Sequence, residues 1–111
     1  MSGFLTTHVL DTARGRPAAG VEIELARLEH GRRSTLRTVS TNADGRTDAP
    51  LLAQGELEAG EYELVFAVGD YFGQREFLDR VPVQFSVTDP GAHYHVPLLA
   101  SPWSYSTYRG S

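Results

Sequence analysis

Short stretches in which apolar and polar residues alternate constrain the fold of this chain more than any other feature. The clearest alternation runs through residues 21–25, 62–68 and 83–87. Side chains of a β-strand point alternately to the two faces of a sheet, so this pattern is typical of strands with one buried face. Turn-forming sequences such as Asp44-Gly45 and Asp89-Pro90-Gly91 separate such stretches. The spacing predicts an all-β fold, an antiparallel β-sandwich of roughly six to eight short strands.

Two local features depart from the alternating pattern. Residues 70–78 do not alternate, and Phe72 and Phe77 lie about one and a half helical turns apart. This segment is predicted to form a short helix or helical turn between two strands. Residues 93–99 are the last strand candidate, but Pro97 has no backbone N–H to donate. Pro97 therefore predicts an edge strand or a bulge at that point.

The composition excludes several classes of function. The chain has 111 residues, which fits one domain over residues 1–111. It contains no cysteine, and all ten of its basic residues are arginine. Disulfides, thiol nucleophiles, Cys-ligated zinc, Schiff-base lysines and a Walker-type phosphate loop are therefore excluded. A net charge of −4 argues against binding to nucleic acid or to an anionic membrane surface.

The hydropathy of the sequence predicts neither a transmembrane helix nor an N-terminal signal peptide. The longest unbroken apolar run, residues 64–68, is far shorter than the roughly 20 residues that a spanning helix needs. Residues 1–10 lack the basic start and apolar centre of a signal peptide. A cytoplasmic location is therefore expected, although a mature chain that has lost a leader would look the same.

Histidine is the most informative residue type left for chemistry. If residues 5–10 form a strand, His8 shares one face with Thr6. His93 and His95 are two residues apart, so they too project from one face of a strand. Such a histidine could act as a base near neutral pH, or the pair could chelate a metal with His8 as a third ligand. The spacing also fits polar side chains on a solvated face.

Further residues have both a functional and a purely structural interpretation. Arg46 follows Asp44-Gly45 at the predicted start of the next strand, where its guanidinium either faces water or binds planar oxygens. Ser111 offers a hydroxyl and a terminal carboxylate. The aromatic tail, residues 103–111, is predicted to be packed rather than solvated, and another subunit is one surface that it could pack against. The acidic residues at alternate strand positions are predicted to be solvated rather than catalytic: Glu22, Glu24, Glu61 and Glu63.

Several motifs taken together resemble one family. They are LTTHVLDT at 5–12, GRPA at 15–18, TNADGR at 41–46, HYHVPLL at 93–99, Ser101-Pro102 and YSTYRGS at 105–111. In this combination the sequence resembles the 5-hydroxyisourate hydrolases, the transthyretin-related enzymes of urate breakdown. The resemblance covers about residues 4–111, and the YRGS ending is its most specific part.

The resemblance implies a fold and an assembly. The expected fold is a transthyretin-like sandwich of two four-stranded sheets with one short helix. The expected assembly is a homotetramer, a dimer of dimers, with active sites in the channel between the dimers. No cofactor and no metal are expected. The site residues that the resemblance implies are His8, Arg46, His95 and the tail from Tyr108 to Ser111, and His93 is expected to be structural or to support them.

The resemblance also implies a reaction, the hydrolysis of 5-hydroxyisourate to 2-oxo-4-hydroxy-4-carboxy-5-ureidoimidazoline. His8 would be the leading base, and His95 would orient water or substrate and could exchange roles with it. Arg46 would bind and stabilise the developing anion, Tyr108 would line the substrate pocket, and Ser111 would hold the water or a histidine. Two rivals share the fold: a small-molecule carrier of the transthyretin kind, which lacks this residue set, and a protein-binding module.

Overall fold

A computed structural model describes residues 3–111, which form two β-sheets and one short helix. The alternating segments identified in the sequence are strands, so the prediction of an all-β fold is confirmed. The elements, in chain order, are β1 (Phe4–Asp11), β2 (Arg16–Pro17), β3 (Glu22–Glu29), β4 (Arg32–Ser40), β5 (Gly60–Ala67), α1 (Val68–Phe72), β6 (Arg80–Val87), β7 (His93–Ala100) and β8 (Tyr105–Thr107).

The strands are arranged in two four-stranded sheets, as predicted. One sheet has the order β2-β1-β7-β8 and the other has the order β4-β3-β5-β6. Neighbouring strands are antiparallel with one exception, because β1 and β7 run parallel. Most of the chain lies between these two strands, so no hairpin turn fixes their relative direction. The expectation of a wholly antiparallel sandwich needs this one correction.

The core lies between the sheets and follows the period-two pattern. Along β1, buried and partly exposed residues alternate without a break, so that Leu5 and Val9 are buried while Thr6 and His8 face outward. Burial of the inner faces supplies the main driving force for stacking the sheets. The largest fully buried side chains are Leu5, Val9, Val21, Ile23, Leu25, Leu51, Tyr62, Leu64, Phe66, Val68, Val81 and Leu98.

The predicted helix exists, but its bounds differ from residues 70–78. Helix α1 covers Val68–Phe72 and ends because Gly73 adopts a left-handed conformation, with φ 72°, and donates its N–H to Gly69 O. Phe72 packs partly on the core, whereas Phe77 is exposed. The spacing of the two phenylalanines therefore does not mark one helix face. Within residues 3–111, no helix is both long and apolar enough to cross a membrane.

The Asp44-Gly45 turn is not a hairpin, which corrects the predicted position of Arg46. Strands β4 and β5 are not neighbours, since β3 lies between them, and a long loop joins them. In that loop Asn42 Oδ1 accepts hydrogen bonds from the N–H groups of Asp44 and Arg46, at 2.9 and 3.2 Å. Arg46 thus lies in a loop folded by the Asn42 side chain, and not at the start of a strand.

Pro97 does not lie in an edge strand, so that part of the prediction for Pro97 is wrong. Strand β7 is interior, between β1 and β8. The pairs Leu98–Thr107 and His95–Gly110 share one register, which places Pro97 opposite Tyr108. The β7–β8 ladder is interrupted there, because proline cannot donate the hydrogen bond.

The outer face of the second sheet carries an ion-paired cluster. Arg33 binds Glu24 at 2.5 Å and Glu63 at 2.7 Å, and Gln84 donates to Glu63 at 3.0 Å. Glu24 and Glu63 are therefore not simply solvated, which corrects the prediction for these two. The exposed residues Glu22 and Glu61 agree with it.

Candidate functional site

The parallel pairing of β1 with β7 brings the histidines onto one outer face. In its register Phe4 lies beside His93, Thr6 beside His95, and His8 beside Pro97. A cleft of about 370 Å³ opens against this face. The residues that line the cleft are Thr6, Thr7, Arg46, Thr47, Asp48, Ala49, Pro50, His93, His95 and Ser111.

The loop that carries Arg46 is docked on β1 through Gly45. Gly45 O accepts the N–H of Val9 at 2.8 Å, and Gly45 has φ 74°. A Cβ at this position would lie 2.3 Å from Val9 O, so only glycine permits so close an approach. This contact fixes the loop beside the histidines and sets Arg46, which follows directly, in the cleft wall.

His8 is held by the same turn. Its Nε2 atom lies 2.9 Å from Asp44 O. A carbonyl oxygen only accepts hydrogen bonds, so His8 Nε2 carries the proton and Nδ1 is the basic atom of the neutral ring. His8 projects from the face of Thr6 two residues further along β1, next to the residues that line the cleft.

His95 is fixed on two sides. Its Nδ1 lies 2.8 Å from Thr6 Oγ1, and the Gly110 backbone packs against the ring, where a Cβ would come within 2.5 Å of His95 Cδ2. Gly110 N also donates to His95 O at 2.8 Å. Among residues 3–111, no hydrogen-bond partner contacts His95 Nε2. This nitrogen is therefore the one available to a ligand in the cleft.

The surroundings of His95 favour its neutral form. Burial lowers the pKa of His95 below its usual value, and the positive charges of Arg46, His93 and His8 lower it further. A neutral imidazole has one N–H and one lone pair. His95 can therefore donate or accept one hydrogen bond in the cleft at neutral pH.

His93 supports this arrangement from the end of the strand. Its Nε2 lies 2.7 Å from Thr6 Oγ1, and its ring stacks on Phe4 with the centroids 4.1 Å apart. His93 and His95 thus direct nitrogen atoms at one hydroxyl. Across the described part of the chain, no group of three or more histidine, aspartate or glutamate side chains is arranged to hold a metal ion.

The C-terminal tail is packed on the sandwich of its own chain. Strand β8 pairs with β7, and Arg109 places its guanidinium carbon 4.2 Å from the centre of the Tyr94 ring. These contacts lead Ser111 into the cleft wall. Tyr108, which is 58% exposed, lies opposite Pro97 and borders a second cavity, of about 330 Å³, rather than the cleft.

The structure thus groups most of the predicted site residues. Arg46, His95 and Ser111 line one cleft, His8 lies beside it, and Tyr108 does not line it. Sequence reasoning missed the roles of Thr6 and Gly110. Strand alternation does place Thr6 on the face of His8, but no local signal announces the parallel pairing that brings Thr6 to His95.

This set of groups can support water activation and the binding of a negative charge. His8 and His95 offer imidazole nitrogens near neutral pH, and Arg46 offers fixed N–H donors for planar oxygens. Asp48 lines the cleft, where Asn42 Nδ2 donates to its carboxylate at 3.0 Å. The combination of a base and a cationic donor is what the hydrolysis of an amide requires.

Comparison with known proteins supports the same kind of chemistry. A profile described as the HIUase/Transthyretin family matches residues 5–110. The 5-hydroxyisourate hydrolase of Mesorhizobium japonicum is 61% identical over 116 residues, which cover 98% of this chain and 93% of that protein. The solved structure of Klebsiella pneumoniae 5-hydroxyisourate hydrolase aligns with a TM-score of 0.83 and 38% identity, over 98% of this chain and 94% of that one.

The backbone alone does not separate a hydrolase from a transthyretin in this comparison. Sea bream transthyretin, solved in complex with thyroxine, aligns with a TM-score of 0.87 but only 29% identity, over 96% of this chain and 93% of that one. Similar backbones thus support different functions, so the side chains of the cleft must decide between them. On the profile match and the identity over nearly its whole length, the chain belongs to the HIUase/transthyretin family.

Proposed function

We propose that this protein is a hydrolase that converts 5-hydroxyisourate to 2-oxo-4-hydroxy-4-carboxy-5-ureidoimidazoline. The observation that carries the proposal is the convergence of Arg46, His95 and Ser111, from three distant segments, on one cleft beside His8. The high identity to a 5-hydroxyisourate hydrolase supports the substrate. In the reaction, water adds to a ring amide carbonyl and the C–N bond breaks. One proton of the water ends on the ureido nitrogen, and the other is released when the new acid ionises to a carboxylate.

His8 is the leading base in this proposal. Its Nε2–H is engaged by Asp44 O, which orients the ring and leaves Nδ1 free to take a proton from the attacking water. The same proton can then pass to the leaving nitrogen as the C–N bond breaks. A base that is oriented by a third group is the arrangement that nucleophile activation generally needs.

His95 and Arg46 act on the other partners of the reaction. His95 Nε2 orients water or substrate, and the neutral form of the ring is favoured because burial and nearby cations lower the pKa of His95. Arg46 binds the purine oxygens and stabilises the oxyanion as it forms. Ser111 holds the water or a histidine through its hydroxyl or its carboxylate.

Tyr108 and the assembly belong to the same proposal. We propose a homotetramer, a dimer of dimers, in which the sites lie between dimers. Tyr108 does not line the cleft of its own chain, so its proposed place in the substrate pocket depends on this assembly. Each sheet has two edge strands, β6 and β8 among them, and these edges support assembly because they offer unpaired backbone groups. The exposed aromatic side chains Trp103, Tyr105 and Tyr108 also support it. The cytoplasmic location stays a prediction.

The decisive experiment is a coupled ultraviolet assay. Urate oxidase generates 5-hydroxyisourate from urate, and the decay of this product is compared with and without the protein. We expect a large acceleration over the spontaneous rate, lost in Arg46→Ala. Folded protein that gives no acceleration would refute the proposal and leave a carrier as the function to test, by direct measurement of ligand binding.

A further inference from the structure

We infer that Thr6 is a positioning residue, whose hydroxyl donates to His95 Nδ1 and so holds His95 as the Nε2–H tautomer. His95 then presents a hydrogen-bond donor to the cleft, and His8 is the base. This inference rests on the proposed function for its catalytic meaning, but the tautomer itself is measurable without turnover.

The geometry places one hydroxyl between two imidazoles. Thr6 Oγ1 lies 2.7 Å from His93 Nε2 and 2.8 Å from His95 Nδ1. A hydroxyl has one proton and two lone pairs, so it can donate to one of these nitrogens and accept from the other, or accept from both. Accepting from both would leave the Thr6 proton without a partner, because among residues 3–111 the hydroxyl bonds only these two nitrogens. Two chains of hydrogen bonds are therefore available, and they give His95 opposite tautomers.

In the first chain, His93 Nε2–H donates to Thr6 Oγ1, and the Thr6 hydroxyl donates to His95 Nδ1. Both rings are then Nε2–H tautomers, which is the intrinsically favoured form of neutral histidine. In the second chain both rings must be Nδ1–H tautomers, the disfavoured form. A protonated His93 can only donate, so protonation of His93 excludes the second chain.

As a consequence, the two histidines of the site have different hydrogen-bonding roles. His8 has a free Nδ1 lone pair because its Nε2–H is bound to Asp44 O. In the first of the two hydrogen-bond arrangements, His95 Nε2 carries a proton. It can then donate a hydrogen bond to a carbonyl oxygen of the substrate or to the water oxygen. The two imidazoles therefore supply complementary groups, one acceptor and one donor.

The test is imidazole ¹⁵N NMR of the full-length protein at about pH 8, where histidines are mostly neutral. The chain has four histidines, so each ring can be assigned from single substitutions. We expect His95 to be the Nε2–H tautomer in the wild type and in Thr6→Ser, and to lose this single form in Thr6→Val. A wild-type His95 protonated on Nδ1 overturns the inference.

Kinetics then separate positioning from general damage to the fold. In Thr6→Val we expect kcat to fall by about three- to tenfold, the worth of one hydrogen bond, with little change in KM. Thr6→Ser should stay within about twofold of the wild type. Thr12→Val is the matched control, because Thr12 follows directly after β1 and its hydroxyl donates to Ala100 O, away from His95.

The outcomes distinguish this inference from the proposed function. If the wild type does not accelerate the decay of 5-hydroxyisourate, the proposed function fails, while the tautomer measurement still decides the role of Thr6. If the wild type is active and Thr6→Val keeps both the His95 tautomer and kcat, Thr6 positions nothing and the inference fails alone. Should Thr6→Val not fold, Thr6→Ala removes the same hydroxyl and takes its place in both measurements.

Discussion

The outer faces of the two sheets satisfy their polar groups in different ways. On the β4-β3-β5-β6 sheet, Arg33 binds both Glu24 and Glu63, so opposite charges neutralise one another within the face. On the β2-β1-β7-β8 sheet the polar groups are imidazoles and hydroxyls, and no protein group among residues 3–111 hydrogen-bonds His95 Nε2. The charged face has its polar groups paired without a ligand, whereas the histidine face has the unpaired Nε2 atom of His95 at the cleft.

The difference shows where chemistry can be located on a common sandwich. A sheet face whose charges are already paired binds a ligand weakly, because the ligand must compete with the existing ion pairs for the charged groups. A face of neutral, partly paired groups offers donors and acceptors at low cost. Backbone similarity to a transthyretin solved in complex with thyroxine therefore does not by itself indicate function.

The largest expected effect comes from removing residues 108–111. The deletion removes Ser111 from the cleft and the Gly110 contact from His95, so we expect it to abolish the acceleration. Strand β8 ends at Thr107, so both sheets should survive. Activity and circular dichroism check this. If the fold is lost together with the activity, the main role of the tail is to stabilise the fold rather than to build the cleft.

Substitution of the two histidines tests the active face directly. We expect His8→Ala and His95→Ala each to lower kcat by about 10²–10⁴-fold, the usual contribution of a general acid or base. His30→Asn is a suitable control, because His30 lies in the β3–β4 turn with φ 54°, which asparagine tolerates. Near wild-type kcat in both alanine variants would rule out the histidine mechanism.

Gly110→Ala tests whether the tail positions His95. The new Cβ would lie 2.5 Å from His95 Cδ2, so the ring or the tail must move. We expect kcat to fall by roughly 10- to 100-fold through misplacement of the ring. The melting temperature should change by less than about 4 °C, because the site is at the end of the chain. Ser106→Ala, in β8, is the matched control, and equal kcat in both variants would contradict the positioning role.

The sequence predicts the parts of this molecule that depend on local pattern. Alternation in β1 correctly separates buried Leu5 and Val9 from outward Thr6 and His8. The reason is that strand geometry alone assigns neighbouring residues to opposite faces. The family motifs then add the cleft residues Arg46, His95 and Ser111, which no local pattern brings together.

The rest depends on contacts between distant segments. The parallel pairing of β1 with β7 has no turn to announce it, so the meeting of Thr6 with His95 could not be predicted. The position of Arg46 depends on the Asn42 side chain, which folds the loop, and on the docking of Gly45 against Val9. These are properties of the packed chain rather than of any one segment.

A smaller effect is expected in the titration of His95. Burial, and next the charge of Arg46, lower its pKa, so the ring stays neutral to a lower pH than an ordinary histidine. NMR titration should give His95 a value below about 6.5, and Arg46→Ala should raise it because a nearby positive charge is removed. In the wild type, activity should fall on the acid side as the His95 imidazole becomes protonated. An unchanged His95 value in Arg46→Ala would show that this charge does not act on the ring.

The smallest effect is expected on the charged face, in Arg33→Ala. The side chain is 37% exposed, so solvent screens its ion pairs, and we expect the free energy of unfolding to fall by only about 0.5–1 kcal/mol. Hydrogen bonds from Arg33 lower the pKa values of Glu24 and Glu63. Their contribution is therefore present above the unfolded value of about 4.3 and is lost as the pH falls through the folded values. Urea denaturation at pH 7 and at about pH 3 should show a stability difference only at the higher pH, with kcat unchanged. A large loss of kcat would show that the two faces are coupled, contrary to the separation inferred from their contacts.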